Sequence, residues 1–303
     1  MGCMDFEVMI EDIDPAQLDM ELLSRGLAYL ATVCNRDGAN VVLTGDLEAS
    51  IKKRLSSAEQ AERFGINRVS GQVAAKVILD GARPEVIVNG QLLMPGIAEA
   101  IELDVERLFE HEGLHVALYQ RGEDVHAIVA EGNLSFHEAH FDGHAAILID
   151  DYRIERALHD SGGGIAATYL EATKDVLDNF AAAVYDGICQ RYPNEPIKRC
   201  YETTFGAFYS LTTHLAYLIS QAVPAADLAH LPTWERFVGE HYSLLEQALH
   251  QLPSAAEPVP IDRLLAAVST IGDQLVEWLE HIGFRTTSSA DGGFQFDVLR
   301  HDF

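Results

Sequence analysis

The chain has 303 residues, 48% apolar and 22% charged, a globular rather than a disordered composition. Its 47 Asp and Glu against 21 Lys and Arg give a formal charge of −26, a field that opposes binding to nucleic acid or to anionic membranes. Four scattered cysteines (Cys3, Cys34, Cys189, Cys200), with no C-x-x-C pair, argue against a disulfide framework or a thiolate zinc site. Residues 1–17 hold no basic n-region and no apolar h-region, so a cytoplasmic protein is expected.

Residues 14–33 open on Asp and Pro and continue with apolar positions at helical spacing, which predicts a helix. "NVVLTG" reads as a short strand and "DLEASIKKRL" as a helix. In residues 56–77 the Ala61-to-Gly65 spacing resembles a helix-turn-helix, and residues 51–70 carry five basic against two acidic side chains. The overall charge opposes that use, so two ordinary helices joined at Gly65 are expected. Residues 74–96 hold two β-branched runs split by Gly-Ala-Arg-Pro, a pattern for strands or a hairpin.

Residues 97–120 keep helical periodicity for more than six turns. Residues 121–133 break it, and 134–159 form a second long helix. "DSGGG" (160–164) is the clearest hinge. Beyond it four further helical patterns follow, in 165–192, in the 200s, in 234–252 and in 261–284, with Trp234 and Trp278 as core anchors. "FRTTSSADGGFQFDVL" ends the chain as a hairpin with Asp-Gly-Gly at its turn. Residues 205–223 lack Asp, Glu, Lys and Arg but carry His214, Gln221 and several Ser and Thr, so a buried core helix is expected rather than a membrane span.

The chemistry concentrates in two helices. "HEGLH" places His111 and His115 four apart, on one helical face, where both imidazoles can serve one ion. Glu112 lies beside them, in reach of a water at that ion. Gly113 costs helix propensity and permits close approach of another helix or of substrate. In the second helix His137, His140, His144, Asp151, Glu155 and His159 form one polar line. A merely wet face would carry Lys, Arg and Gln, so this line of His and acids points to a site.

"HEGLH" followed some tens of residues later by "DDYRIERAL" resembles the zincin metallopeptidases of the glutamate-ligand (gluzincin-type) branch, over residues 97–160, about a fifth of the chain. The resemblance implies Zn²⁺ held by His111, His115 and Glu155, with Asp151 orienting a histidine. It implies a peptide or protein substrate and peptide hydrolysis in which Glu112 moves the proton from the attacking water to the leaving amine. The family's usual second motif opens on Asn-Glu and has an acid four residues after the ligand. Here Asp151 precedes Glu155 and His159 takes the later place, so His140 and His144 stay open as competing third ligands. Tyr152, Tyr169, Tyr185 and His214 are candidate oxyanion donors. By fold analogy "PEVIVNGQLL" is the edge strand along which a peptide would pair.

The expected fold is α+β, mainly α. A zincin-like core spans residues 1–160, with a small β-sheet, the H-E-x-x-H helix and the third-ligand helix, and residues 161–303 form a helical region. Two other functions fit the same residues. One is a non-catalytic or regulatory metal-binding interaction protein on this fold. The other is a di-iron bundle, for which Glu112 and His115 supply one Glu-x-x-His but no second is found.

Overall fold

The computed structural model describes residues 6–34, 39–68, 71–79, 83–130, 136–189, 197–288 and 294–299. The protein is α+β and mainly helical, and it divides into two compact units, Met1–Asp124 and Val125–Phe303.

The first unit is built on a four-stranded sheet. In chain order its elements are β1 (Glu7–Glu11), α1 (Met20–Val33), β2 (Asn40–Thr44), α2 (Leu47–Arg54), α3 (Ala58–Arg63), β3 (Asn67–Arg68), β4 (Gly71–Gln72), β5 (Ala75–Ile78), β6 (Glu85–Asn89), α4 (Ile97–Ala100) and α5 (Val105–Gln120). The sheet order is β1-β2-β6-β5, with β1, β2 and β6 parallel and β5 antiparallel to β6. Both central strands are continuous apolar runs, as strands covered on two faces must be. Val41, Leu43, Val86 and Val88 pack with residues of α1 and α5, while Val42 and Ile87 turn to Leu47 and Ile51 of α2. The alternation of side chains along each strand thus divides the core into two layers.

Several expectations are corrected here. Residues 84–93 do not supply an edge strand. β6 is hydrogen-bonded on both sides, and the edges are β1 and β5. The stretch 56–77 is neither a helix-turn-helix nor two helices. After α3 it forms the β3–β4 pair and then β5, because Val73, Val77 and Ile78 find apolar cover against the sheet layers. Asp14 caps only a 3₁₀ turn at Pro15–Gln17, and the helix proper starts where Asp19 accepts from the amides of Glu21 and Leu22. The strand β1 before it had no sequence signal of its own. The long helical pattern of 97–120 is broken between α4 and α5. Glu102 adopts a left-handed φ of 54°, and the Asp104 side chain caps α5 by accepting from Arg107 N at 3.0 Å.

α1 and α5 pack through two glycines. A Cβ on Gly26 would stand 2.6 Å from the Phe109 ring, and one on Gly113 would stand 2.6 Å from Val33 Cγ2 and 2.9 Å from Leu30 Cδ1. The helix-breaking residue inside the H-E-x-x-H motif therefore serves helix packing. Gly113→Ala is expected to destabilise the protein. Overpacking costs about 1–3 kcal/mol, against about 1 kcal/mol regained in helix propensity. Urea unfolding measures the balance, and a more stable Gly113→Ala would show that α1 yields at no cost.

The second unit comprises α6 (Val125–Ala130), α7 (Phe136–Asp160), α8 (Ala166–Cys189), α9 (Ile197–Ser220), α10 (Ala225–Leu228), α11 (Trp234–Phe237), α12 (Gly239–Leu249), α13 (Ile261–Ile282) and the antiparallel hairpin of β7 (Phe284–Ser288) and β8 (Phe294–Val298). The Asp-Gly-Gly turn expected in that hairpin lies outside the described residues. One apolar core runs through α7, α8, α9, α12 and α13. Trp234 and Trp278 are both buried in it, and Trp278 Nε1 donates to Phe237 O at 2.6 Å. Residues 205–223 are core, and among the described residues no helix is long and apolar enough to cross a membrane.

The division of the chain falls after Asp124 rather than after residue 160. Phe141, Ala145, Leu148, Ile149 and Tyr152 of α7 are buried in the second unit's core, so α7 belongs with the helices that follow it. The Gly-rich stretch closes the helix. Gly162 takes φ +96°, Gly163 N donates to Leu158 O at 2.9 Å, and Ile165 N donates to Gln221 Oε1 at 2.9 Å.

Candidate metal centre

α5 buries Phe109, Gly113 and Val116, which fixes the rotation of the helix about its axis. That rotation leaves His111 and His115 half-buried one turn apart, with ring centroids 5.1 Å apart and planes at 66°. Glu112 is 6% exposed.

α7 carries the acidic side chains. Its charged residues divide by task. Asp150 Oδ2 accepts from His126 N at 3.2 Å and so holds the start of α6. Arg153, fully buried, donates from Nε to Pro253 O at 3.2 Å and from Nη2 to Glu257 O at 3.0 Å, which fastens the loop before α13. Asp151 and Glu155 stand one turn apart, and each is met by a tyrosine. Tyr217 Oη donates to Asp151 Oδ2 at 2.9 Å, and Tyr169 Oη donates to Glu155 Oε2 at 3.3 Å. The two tyrosine rings are 5.1 Å apart. Burial, then the neighbouring Asp151 charge, pushes the Tyr217 phenol well above its usual range, so it stays a donor.

His111 and His115 of α5 and Asp151 of α7, all half-buried, are of residue types that can hold a metal ion. The expected third ligand Glu155 is 3% exposed, and Asp151, expected to act behind a histidine, is half-buried.

The competing histidines have other surroundings. His144 is 5% exposed, stacks on Tyr209 with centroids 4.0 Å apart and pairs Nε2 with Thr212 Oγ1 at 2.6 Å. His140 lies against the rings of Tyr201 and Phe205. The side chain of His137 lies outside the described residues. Among the oxyanion candidates, Tyr152 is buried in the helical core, Tyr185 is 60% exposed and His214 Nε2 pairs with Thr173 Oγ1 at 3.0 Å. Tyr169 donates to Glu155, an acid of the polar line.

Sequence reasoning did not single out Tyr217, although a signal was present. His214, Tyr217 and Gln221 recur at i, i+3 and i+7 in an otherwise apolar helical stretch, so they share one face. Each makes a polar contact with α7, α8 or the turn between them: Tyr217 with Asp151, His214 with Thr173 and Gln221 with Ile165 N.

Burial pushes His144 down to about 3 and His214 down to about 4. Both lie below the unfolded value of about 6.5, so unfolding takes up protons between the two values. The stability these neutral imidazoles contribute is full above about pH 6.5 and falls with pH toward 4, by about 1.4 kcal/mol per pH unit for each. Urea unfolding at pH 7 and pH 5 is expected to show this loss. Equal stability at both would mean that the imidazoles are charged within the fold.

A scan against protein-family models, a search of curated proteins and a search of solved structures each return no match for the chain.

Proposed function

We propose that the chain is a zinc-dependent peptidase in which His111, His115 and Asp151 hold the metal and Glu112 is the general base. The observation that carries the reading is the pair His111 and His115, one turn apart on α5 with ring centroids 5.1 Å apart, on the helix that also bears buried Glu112. Asp151 takes the ligand role that the sequence resemblance implies for Glu155. A bound Zn²⁺ supplies Lewis acidity at its open position.

The chain's own residues do the rest. Glu112 accepts a proton from the attacking water and returns it to the leaving amine. Tyr217 and Tyr169 each hold one carboxylate of α7. The strand open to an extended peptide is β5, an edge strand packed against the α5 layer, which takes over the role expected of residues 84–93. Cys34 and Cys200 are free thiols, which suits the reducing cytoplasm as the place of action.

The test is cleavage of a diverse peptide mixture by zinc-loaded protein, with chelator-treated protein beside it. Chelator-sensitive cleavage supports the peptidase. A protein that holds zinc and cuts nothing is instead a metal-binding interaction protein, and two irons per chain would point to the di-iron bundle.

A further inference from the structure

We propose that His241 and His281 form a further metal site, which takes a divalent transition-metal ion between the start of α12 and the end of α13. The inference lies within the helical unit and does not rest on the peptidase reading. The two imidazole rings meet edge to face, with centroids 5.1 Å apart and planes at 66°. One comes from the first turn of α12 and the other from the last turn of α13. Rings this close can turn their nitrogens toward one ion by rotation about their side-chain bonds.

His241 is prepared for that role. It stacks on Trp278 with centroids 5.0 Å apart and planes at 5°, and Trp278 is itself fixed by the bond from its Nε1 to Phe237 O. The imidazole therefore keeps one orientation, which lowers the ordering cost of binding. Its Nε2 is buried and has no hydrogen-bond partner among the described residues. A ring nitrogen in that condition forgoes the hydrogen bond that water would give it, and a metal bond restores a partner. Burial, then the charge of neighbouring His281, pushes His241 down to about 4 against the opposing effect of Glu240. At neutral pH the ring is thus uncharged, the form in which histidine ligates.

His281 supplies the accessible half. It is exposed, so its ring can turn to admit an ion from solvent. It lies in the last turn of α13, where the helix dipole favours a cation. The nearby charges are mostly negative. Glu240 precedes His241, Glu277 stands one turn before His281 on the same helix, and Glu280 is engaged by Arg285 at 2.8 Å. Among the described residues no third His, Cys or acid completes a ligand group with the pair, so water fills the remaining positions. Two imidazoles and water suit Cu²⁺ and Ni²⁺, with Cu²⁺ the tighter.

Trp278 is the reporter, since a copper ion on His241 lies against its indole and quenches its fluorescence. The full chain is prepared with His111→Ala and His115→Ala, so that the α5 pair takes no metal, and with Trp234→Phe, so that Trp278 is the sole indole. Unfolding curves check that each protein folds. Cu²⁺ is expected to quench Trp278 saturably at about one ion per chain. His241→Gln and His281→Gln are each expected to weaken the titration by more than the roughly 10-fold that losing a mere partner of a ligand costs. His281 is exposed, so its replacement leaves the packing intact. Ni²⁺ should raise the unfolding midpoint of the parent protein and leave that of His281→Gln unchanged.

No saturable quenching in the parent protein would overturn the proposal. So would an unchanged titration in His281→Gln, or an equal rise of its midpoint with Ni²⁺. Zinc held by His111 and His115 in the wild type bears on the peptidase reading alone, so the two readings fail independently.

Discussion

Glu112→Gln is expected to keep its zinc and to lower peptide hydrolysis by about 10²–10⁴-fold, the usual worth of a positioned general base. The substitution preserves shape and removes only the ability to take a proton. Glu112 lies between the two histidines in sequence and is buried on α5. Its carboxylate is therefore held in place by the helix that carries two of the proposed ligands. Metal content and cleavage rate, measured on the same preparation, separate the roles. A variant that loses metal together with activity would make Glu112 part of the ligand structure. A variant that keeps both would remove it from the chemistry.

The second large effect is on the metal. The wild type is expected to carry about one zinc per chain. His111→Ala, His115→Ala and Asp151→Ala should each lose more than the roughly 100-fold in affinity that an outer-shell change costs, because each deletes a donor atom of the group. Glu155→Ala and His144→Ala should retain the metal. The proposed reading gives Glu155 no ligand role, and His144 is paired with Thr212 and stacked on Tyr209. Elemental analysis after dialysis against a weak chelator decides between Asp151 and Glu155 directly. Zinc lost from Glu155→Ala and kept by Asp151→Ala would return the third ligand to Glu155.

Much of the local structure was legible in the sequence. Helical periodicity in 134–159 and 261–284 corresponds to α7 and α13, and the alternating run at the chain's end corresponds to β7 and β8. These signals are local. A helix declares itself through residues three and four apart, and a cap such as Asp104 through a side chain that reaches its own first turn. Where two apolar patterns joined, local reading failed. α4 and α5 merge into one periodicity, and the break is a backbone conformation at Glu102. In residues 56–77 the preference for helix gave way to strand pairing, because the apolar side chains there are covered by sheet and not by a second helix.

The same boundary runs through the site. The sequence by itself determined that His111, Glu112 and His115 share one helical turn, and that Asp151 and Glu155 share one face of another helix, since both follow from 3.6 residues per turn. It could not choose between two acids four residues apart, because on a helix face they are equivalent until something packs beside them. Only the tertiary structure distinguished them. It gave Tyr217 to Asp151 and Tyr169 to Glu155 across chain separations of 66 and 14 residues. Gly113 follows the same rule: a weak helix former in sequence, it is required because Leu30 and Val33 of α1 occupy the space a side chain would need.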